Sequence, residues 1–206
     1  MSVWTCRHAP LVLPAAIEVE LIARYREPHR AYHDAAHIAE LLGWFDVVAE
    51  APGAGWRAPA EVFAAIYFHD AVYAPGARDN EARSAALAHA HAAALGVEAA
   101  RVAALIELTA RHGALTAADV TDADTAHFLD ADMAIVGTEP AAFDRYDAAI
   151  RREYAQLPDD AYRAGRHRFL AGVLARPRIF FSALFHDRLD ARARENLARA
   201  IARLGA

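Results

Sequence analysis

The sequence predicts an all-α fold, and three observations carry that reading. Apolar residues recur at helical spacing along almost the whole chain. No run of alternating apolar and polar residues competes as a strand. The breaks between periodic stretches are short and fall at proline and glycine. With 206 residues, 56% of them apolar and 24% charged, the composition is globular and the core is large enough to need no staples. No break is long enough for an interdomain linker and no internal repeat is present, so one domain over 1–206 is expected.

About nine helices follow in order. The first, near 14–26, opens at Pro14, where the missing N–H costs nothing. The apolar stretch from Ala9 to Ile17 after Arg7 has the look of a short signal core. Pro10 and Pro14 interrupt it and Glu18 and Glu20 follow, so it reads as a helix entry. Helices at 34–50 and 58–74 end at the Pro52-Gly53 and Pro75-Gly76 breaks. Those at 80–95 and 98–111 end at Gly96 and Gly113. Helices at 125–137 and 140–155 end at the Gly137–Pro140 and Leu157-Pro158 breaks. A long helix at 159–186, broken near Pro177, and one at 190–204 complete the chain. The 54 alanines favour helix but also reflect coding bias, and carry no functional information.

Composition excludes several chemistries. All 22 basic residues are arginine, which removes a P-loop lysine, a Schiff-base lysine and a Ser–Lys dyad. Cys6 is the one cysteine, so there is no intrachain disulfide, thiolate cluster or CxxC pair. A net charge of −5 argues against a general nucleic-acid surface, though not against a small anionic substrate held by a few arginines. No stretch reaches the roughly 18–20 apolar residues of a membrane span, and a cytoplasmic protein is expected.

The informative anomaly is polar residues on apolar helix faces. His69 follows the stripe Val62, Ile66, Tyr73, with Asp70 about 100° around the helix. His37 lines up with Leu41, Trp44 and Val48, and His33 stands four residues earlier. His112 extends the line Leu105, Leu108, Thr109. Asp132 has Phe128, Leu129, Ile135 and Val136 as its i±3 and i±4 neighbours and is expected to face inward. Asp130, among Ala126, His127, Met133 and Ala134, is expected on a less buried face. An unpaired buried carboxylate costs several kcal/mol. His37, His69-Asp70 and Asp132 on three helices point to a shared divalent metal: Mn, Fe, Co, Zn or Mg. The second His-Asp pair, His186-Asp187, falls near a helix end and reads as surface or capping.

These residues resemble the HD-domain superfamily of metal-dependent phosphohydrolases. More closely, the chain resembles the bacterial group of predicted metal-dependent HD phosphohydrolases of undefined substrate. The resemblance rests on Tyr25-Arg26-Glu27-Pro28-His29-Arg30-Ala31-Tyr32-His33 with His37, and on Phe68-His69-Asp70-Ala71-Val72-Tyr73 with Asp79-Asn80-Glu81 and Ser84. Phe128-Leu129-Asp130-Ala131-Asp132 and Arg194-Glu195-Asn196-Leu197 complete it. It covers about 25–200, with the core motifs in 25–137 and the C-terminal helices in 140–204.

The resemblance implies an HD-like helical bundle, phosphoester hydrolysis, and His37, His69, Asp70 and Asp132 as metal ligands, with Asp130 supporting them or capping a helix. Tyr32-His33 with His37 also resembles the start of the cyclic-nucleotide phosphodiesterase motif, in which the first histidine is the general acid. That implies His33 protonates the leaving oxygen. Asp34 stands where that motif has asparagine. Glu81 would orient the attacking water, Asp70 or Asp132 would accept its proton, and Arg30, Arg78 and His112 are candidate substrate contacts. Two other classes remain open: an HD-type di-iron oxygenase using His112 or His127 as further ligands, and a non-catalytic metal- or nucleotide-binding module.

Overall fold

The computed structural model describes residues 4–120 and 122–205, and the described residues are helical with no strand. The chain divides into two compact units, Met1–Ala110 and Arg111–Ala206. No described helix is long and apolar enough to cross a membrane.

The first unit holds α1 (Ala15–Tyr25), α2 (Ala35–Glu50), α3 (Pro59–Phe68), α4 (Asn80–Leu95) and α5 (Ala99–Thr109). Each boundary has a local cause. Asp34 caps α2, accepting from the backbone N–H of Ala36 at 2.8 Å, and Glu98 caps α5 in the same way. Gly96 closes α4 at φ 68°, a conformation that costs glycine no Cβ clash. Every residue of α3 from Val62 to Phe68 is buried, as expected for a helix apolar on all sides. The N-terminal segment is strapped across this unit. Trp4 Nε1 donates to Ala35 O at 2.9 Å, and the Asp46 carboxylate accepts from the N–H groups of Arg7 and His8.

The second unit holds α6 (Ala123–Met133), α7 (Pro140–Glu153), α8 (Asp159–Leu174) and α9 (Ala183–Gly205), with a 3₁₀ turn over Ala134–Gly137 that continues α6. That turn lies so close to α9 that a Cβ on Gly137 would sit 2.6 Å from the Leu189 Cβ. Asn196 Nδ2 donates to Val136 O and Thr138 O, fixing the same approach. The single broken helix expected over 159–186 is two helices, and the one expected to start at 190 begins at Ala183. The segment between α8 and α9 is held open by side chains instead of helical bonds. Asp190 accepts from Ile179 N at 2.7 Å, and Arg194 donates to the carbonyls of Leu174, Arg176 and Pro177.

Asp130 of α6 is the other anchor of that segment. Its Oδ1 accepts from Phe181 N at 2.8 Å, and its Oδ2 accepts from Ser182 N and Ser182 Oγ at 2.8 and 2.7 Å. Burial pushes the carboxyl up to about 6, against the pull of the Ser182 and Phe181 donors. Removing one partner of such a network strands buried N–H groups. Asp130→Ala should therefore destabilise the protein by about 2–4 kcal/mol in urea unfolding. An unchanged unfolding midpoint would show that the start of α9 does not depend on this carboxylate.

Candidate metal centre

The loop between α1 and α2 and the turn after α3 build the site in the first unit. The helix expected to run to 74 stops at Phe68, because the residues after it find other hydrogen-bond partners. Ser84 Oγ accepts from Val72 N at 3.0 Å and donates to Val72 O. Asn80 pairs with both the N–H and the C=O of Ala74, at 3.0 and 3.1 Å. Two side chains of α4 thus satisfy backbone groups that an extra helical turn would have used. His69, as the C-cap of α3, keeps the last helical bond, from its N–H to Ala65 O, and Asp70 lies in the turn beyond it.

Arg30 joins this turn to the preceding loop. Its Nη1 donates to His33 O and Asp70 O, both at 2.8 Å, its Nη2 donates to Ala71 O at 3.3 Å, and its Nε donates to Glu27 Oε2 at 3.0 Å. The guanidinium also lies over the rings of Tyr25 and Tyr73. The side chain is completely buried. Its donors face the chain itself, so its place is to hold the loops in register, where the sequence offered it as a substrate contact.

Within this frame, His37 in the first turn of α2 and His69 just after α3 are both buried. Their Nε2 atoms lie 3.2 Å apart, and Asp70 Oδ2 is 3.1 Å from His69 Nε2 and 3.6 Å from His37 Nε2. His69 Nδ1 lies 2.9 Å from Ile66 O, which as acceptor fixes the proton on Nδ1 and makes Nε2 the nitrogen suited to ligate. Ligands about 2.1 Å from one tetrahedral ion stand about 3.4 Å apart. The three observed separations fit that spacing, and imidazole nitrogen with carboxylate oxygen is a donor set for a borderline divalent metal. His37 and His69 belong to a group of described side chains spaced to hold one ion. Burial raises the Asp70 pKa, but the charges that His69, His33 and His37 carry when protonated outweigh it and hold the carboxyl below the usual carboxylate range.

His33 reaches the cluster by a different route from the one expected. α2 begins at Ala35, so His33 precedes the helix and shares no helical face with His37. Its ring is nonetheless 5.9 Å from that of His37, centroid to centroid, and 4.4 Å from that of Tyr73. The Asp34 cap and the Arg30 bond to His33 O put it there. Asp34, the departure from the phosphodiesterase-like motif, thus works as a helix cap. Tyr32 adds a second aromatic neighbour, 4.8 Å from the His37 ring. Glu81 stands half-buried in the first turn of α4, and Arg78 is exposed on the loop before it.

In the second unit the expected burial of the two aspartates is reversed. Asp130 is 1% exposed, whereas the Asp132 side chain is 12% exposed. α6 is buried on nearly every side, so apolar neighbours at i±3 and i±4 do not distinguish an inward face. His112, expected on α5, lies in the turn beyond it, and its Nε2 is 2.6 Å from Asp132 Oδ2. His127 is buried near the Phe185 ring, and burial lowers its pKa. His186 in the first turn of α9 pairs with Asp190 at 3.1 Å. Sequence reasoning missed Asn80 and Ser84 as determinants of the His-Asp turn. Both stand among the residues that carry the family resemblance, but no local pattern told which backbone groups they bond.

No protein-family model, no curated protein and no solved structure matches this chain.

Loss of a side chain that orients ligands typically costs 10–100-fold in metal affinity. Arg30→Met should therefore weaken divalent-metal binding by about that factor, read by competition with a chromophoric chelator. A variant that binds as tightly as wild type would show that the loops hold their register without the guanidinium.

Proposed function

We propose that the chain is a metal-dependent phosphohydrolase acting on a small phosphoester, with a nucleotide as the substrate class. The observation that supports this most is the convergence of His37 Nε2, His69 Nε2 and Asp70 Oδ2 at 3.1–3.6 Å in buried surroundings. The resemblance to the HD superfamily adds Asp132 as a further ligand. A bound divalent cation supplies a water of lowered pKa and a counter-charge for phosphoryl oxygens.

The chain's own residues do the rest. His37 and His69 offer neutral ring nitrogens, the second held in its tautomer by Ile66 O. Asp70 or Asp132 accepts the proton of the attacking water, and Glu81 orients that water. His33, beside the His37 ring, donates a proton to the leaving oxygen. His112 holds one oxygen of Asp132 at 2.6 Å. Arg30 keeps both loops in place.

Elemental analysis of the purified protein, followed by a phosphoester screen with each divalent metal, tests the reading. His69→Ala should lose most of the bound metal and His186→Ala none of it. Asp132→Asn should lose more than Asp130→Asn. Equal metal in His69→Ala and wild type would end the assignment. Two irons with oxygen consumption would favour an oxygenase, and tight nucleotide binding without turnover would favour a binding module.

The leaving-group step has its own test. General acid catalysis is worth about 10²–10⁴-fold, and only for a leaving oxygen that needs a proton. His33→Ala should keep its metal, lose about that factor on an alkyl phosphoester, and lose much less on nitrophenyl phosphate. Equal loss on both substrates together with loss of metal would make His33 a ligand.

A further inference from the structure

The arginines best placed by sequence leave the anion unrecognised: the donors of Arg30 are spent on its own loops, and Arg78 is exposed. Elsewhere, Arg166 is paired with Asp147 and Tyr146, and Arg194 with Asp190 and three carbonyls. Unlike Arg166, whose Nη2 also lacks a hydrogen bond but stands 2.9 Å from Asp147 Oδ1, Arg176 between α8 and α9 has no ion pair among the described residues. Its Nη2 is buried and has no hydrogen-bond partner. Its guanidinium lies 5.8 Å from the centre of the Phe181 ring. The Asp130 carboxylate acts on it electrostatically, but the oxygens of Asp130 already accept from Phe181 N, Ser182 N and Ser182 Oγ.

We infer that Arg176 is an anion-binding residue of the second unit whose guanidinium receives a phosphoryl oxygen. The choice of phosphate over another oxyanion rests on the phosphoester reading above; the free donor does not. A desolvated guanidinium donor without an acceptor is costly, and an anion removes that cost. The residue is also pre-set. Its carbonyl accepts from Arg194 Nη2 at 3.0 Å, its N–H bonds to Val173 O, and Pro177 follows. Only the side chain is left to move, and it is half-buried, so it keeps one side toward solvent while the Phe181 ring supports it. A fixed arginine fork on an aromatic face recognises phosphate by geometry as well as by charge.

The test is titration of the full-length protein with inorganic phosphate by calorimetry, with acetate as the comparison. Wild type should bind phosphate and bind acetate more weakly. Arg176→Met, which keeps a stem on Phe181, should lose about tenfold or more in phosphate affinity, with melting temperature and metal content unchanged. Should that variant fail to fold, Arg176→Lys, which keeps the charge and loses the fork, should still bind phosphate measurably more weakly than wild type. In His69→Ala, which tests the metal reading separately, the Arg176-dependent binding should persist. Wild-type phosphate affinity in Arg176→Met or Arg176→Lys, equal binding of acetate, or loss of phosphate binding in His69→Ala alone would each overturn the assignment.

Discussion

The buried guanidinium of Arg30 is the interaction on which the candidate centre depends. One side chain bonds His33 O, Asp70 O and Ala71 O, and so joins the loop carrying the proposed acid to the turn carrying Asp70. Each loop has only isolated backbone turns of its own, such as Arg30 N to Glu27 O in the first and Ala71 N to Phe68 O in the second. Without the clamp, the carbonyls of His33, Asp70 and Ala71 would lose their donors inside the fold, at a cost of about 1–3 kcal/mol each. Glu27 lies 3.0 Å from the guanidinium Nε and two aromatic rings flank it, which offsets the expense of burying the charge.

The second unit uses the same principle with the signs exchanged. Two buried carboxylates, Asp130 and Asp190, accept backbone N–H groups of the segment between α8 and α9, and Arg194 supplies donors to its carbonyls. Asn196 then ties α9 to the turn after α6. In both units irregular backbone is stabilised by polar side chains, from a neighbouring loop in the case of Arg30 and from flanking helices in the case of Asn80, Ser84, Asp130 and Arg194. That lets functional residues sit in turns, where their direction is not dictated by helix periodicity.

The helices were legible because periodicity and breaker residues act locally. Pro14, Gly96 and Pro140 mark ends where the structure has them. The end of α3 was not legible. His69 to Tyr73 continue an apolar stripe, and what turns the chain away from helix is hydrogen bonding by Asn80 and Ser84, residues beyond the next break in sequence. His37 and His69 were correctly read as buried, since each lies on a helix or at its end with a clear apolar stripe. The phase of Asp130 and Asp132 failed because a helix buried on nearly all sides has no polar face against which to set the register. The position of Arg176 depends on contacts with Phe181 and Arg194 that no local pattern encodes.

The most direct measurement is X-ray diffraction from metal-loaded crystals, with anomalous data collected at the absorption edge of the bound metal. A single strong anomalous peak about 2.1 Å from both His37 Nε2 and His69 Nε2, with a carboxylate oxygen completing the set, is expected. A metal located at His186 or elsewhere on the surface, with the His37 and His69 nitrogens bonded only to each other, would contradict the assignment of this cluster as the metal centre.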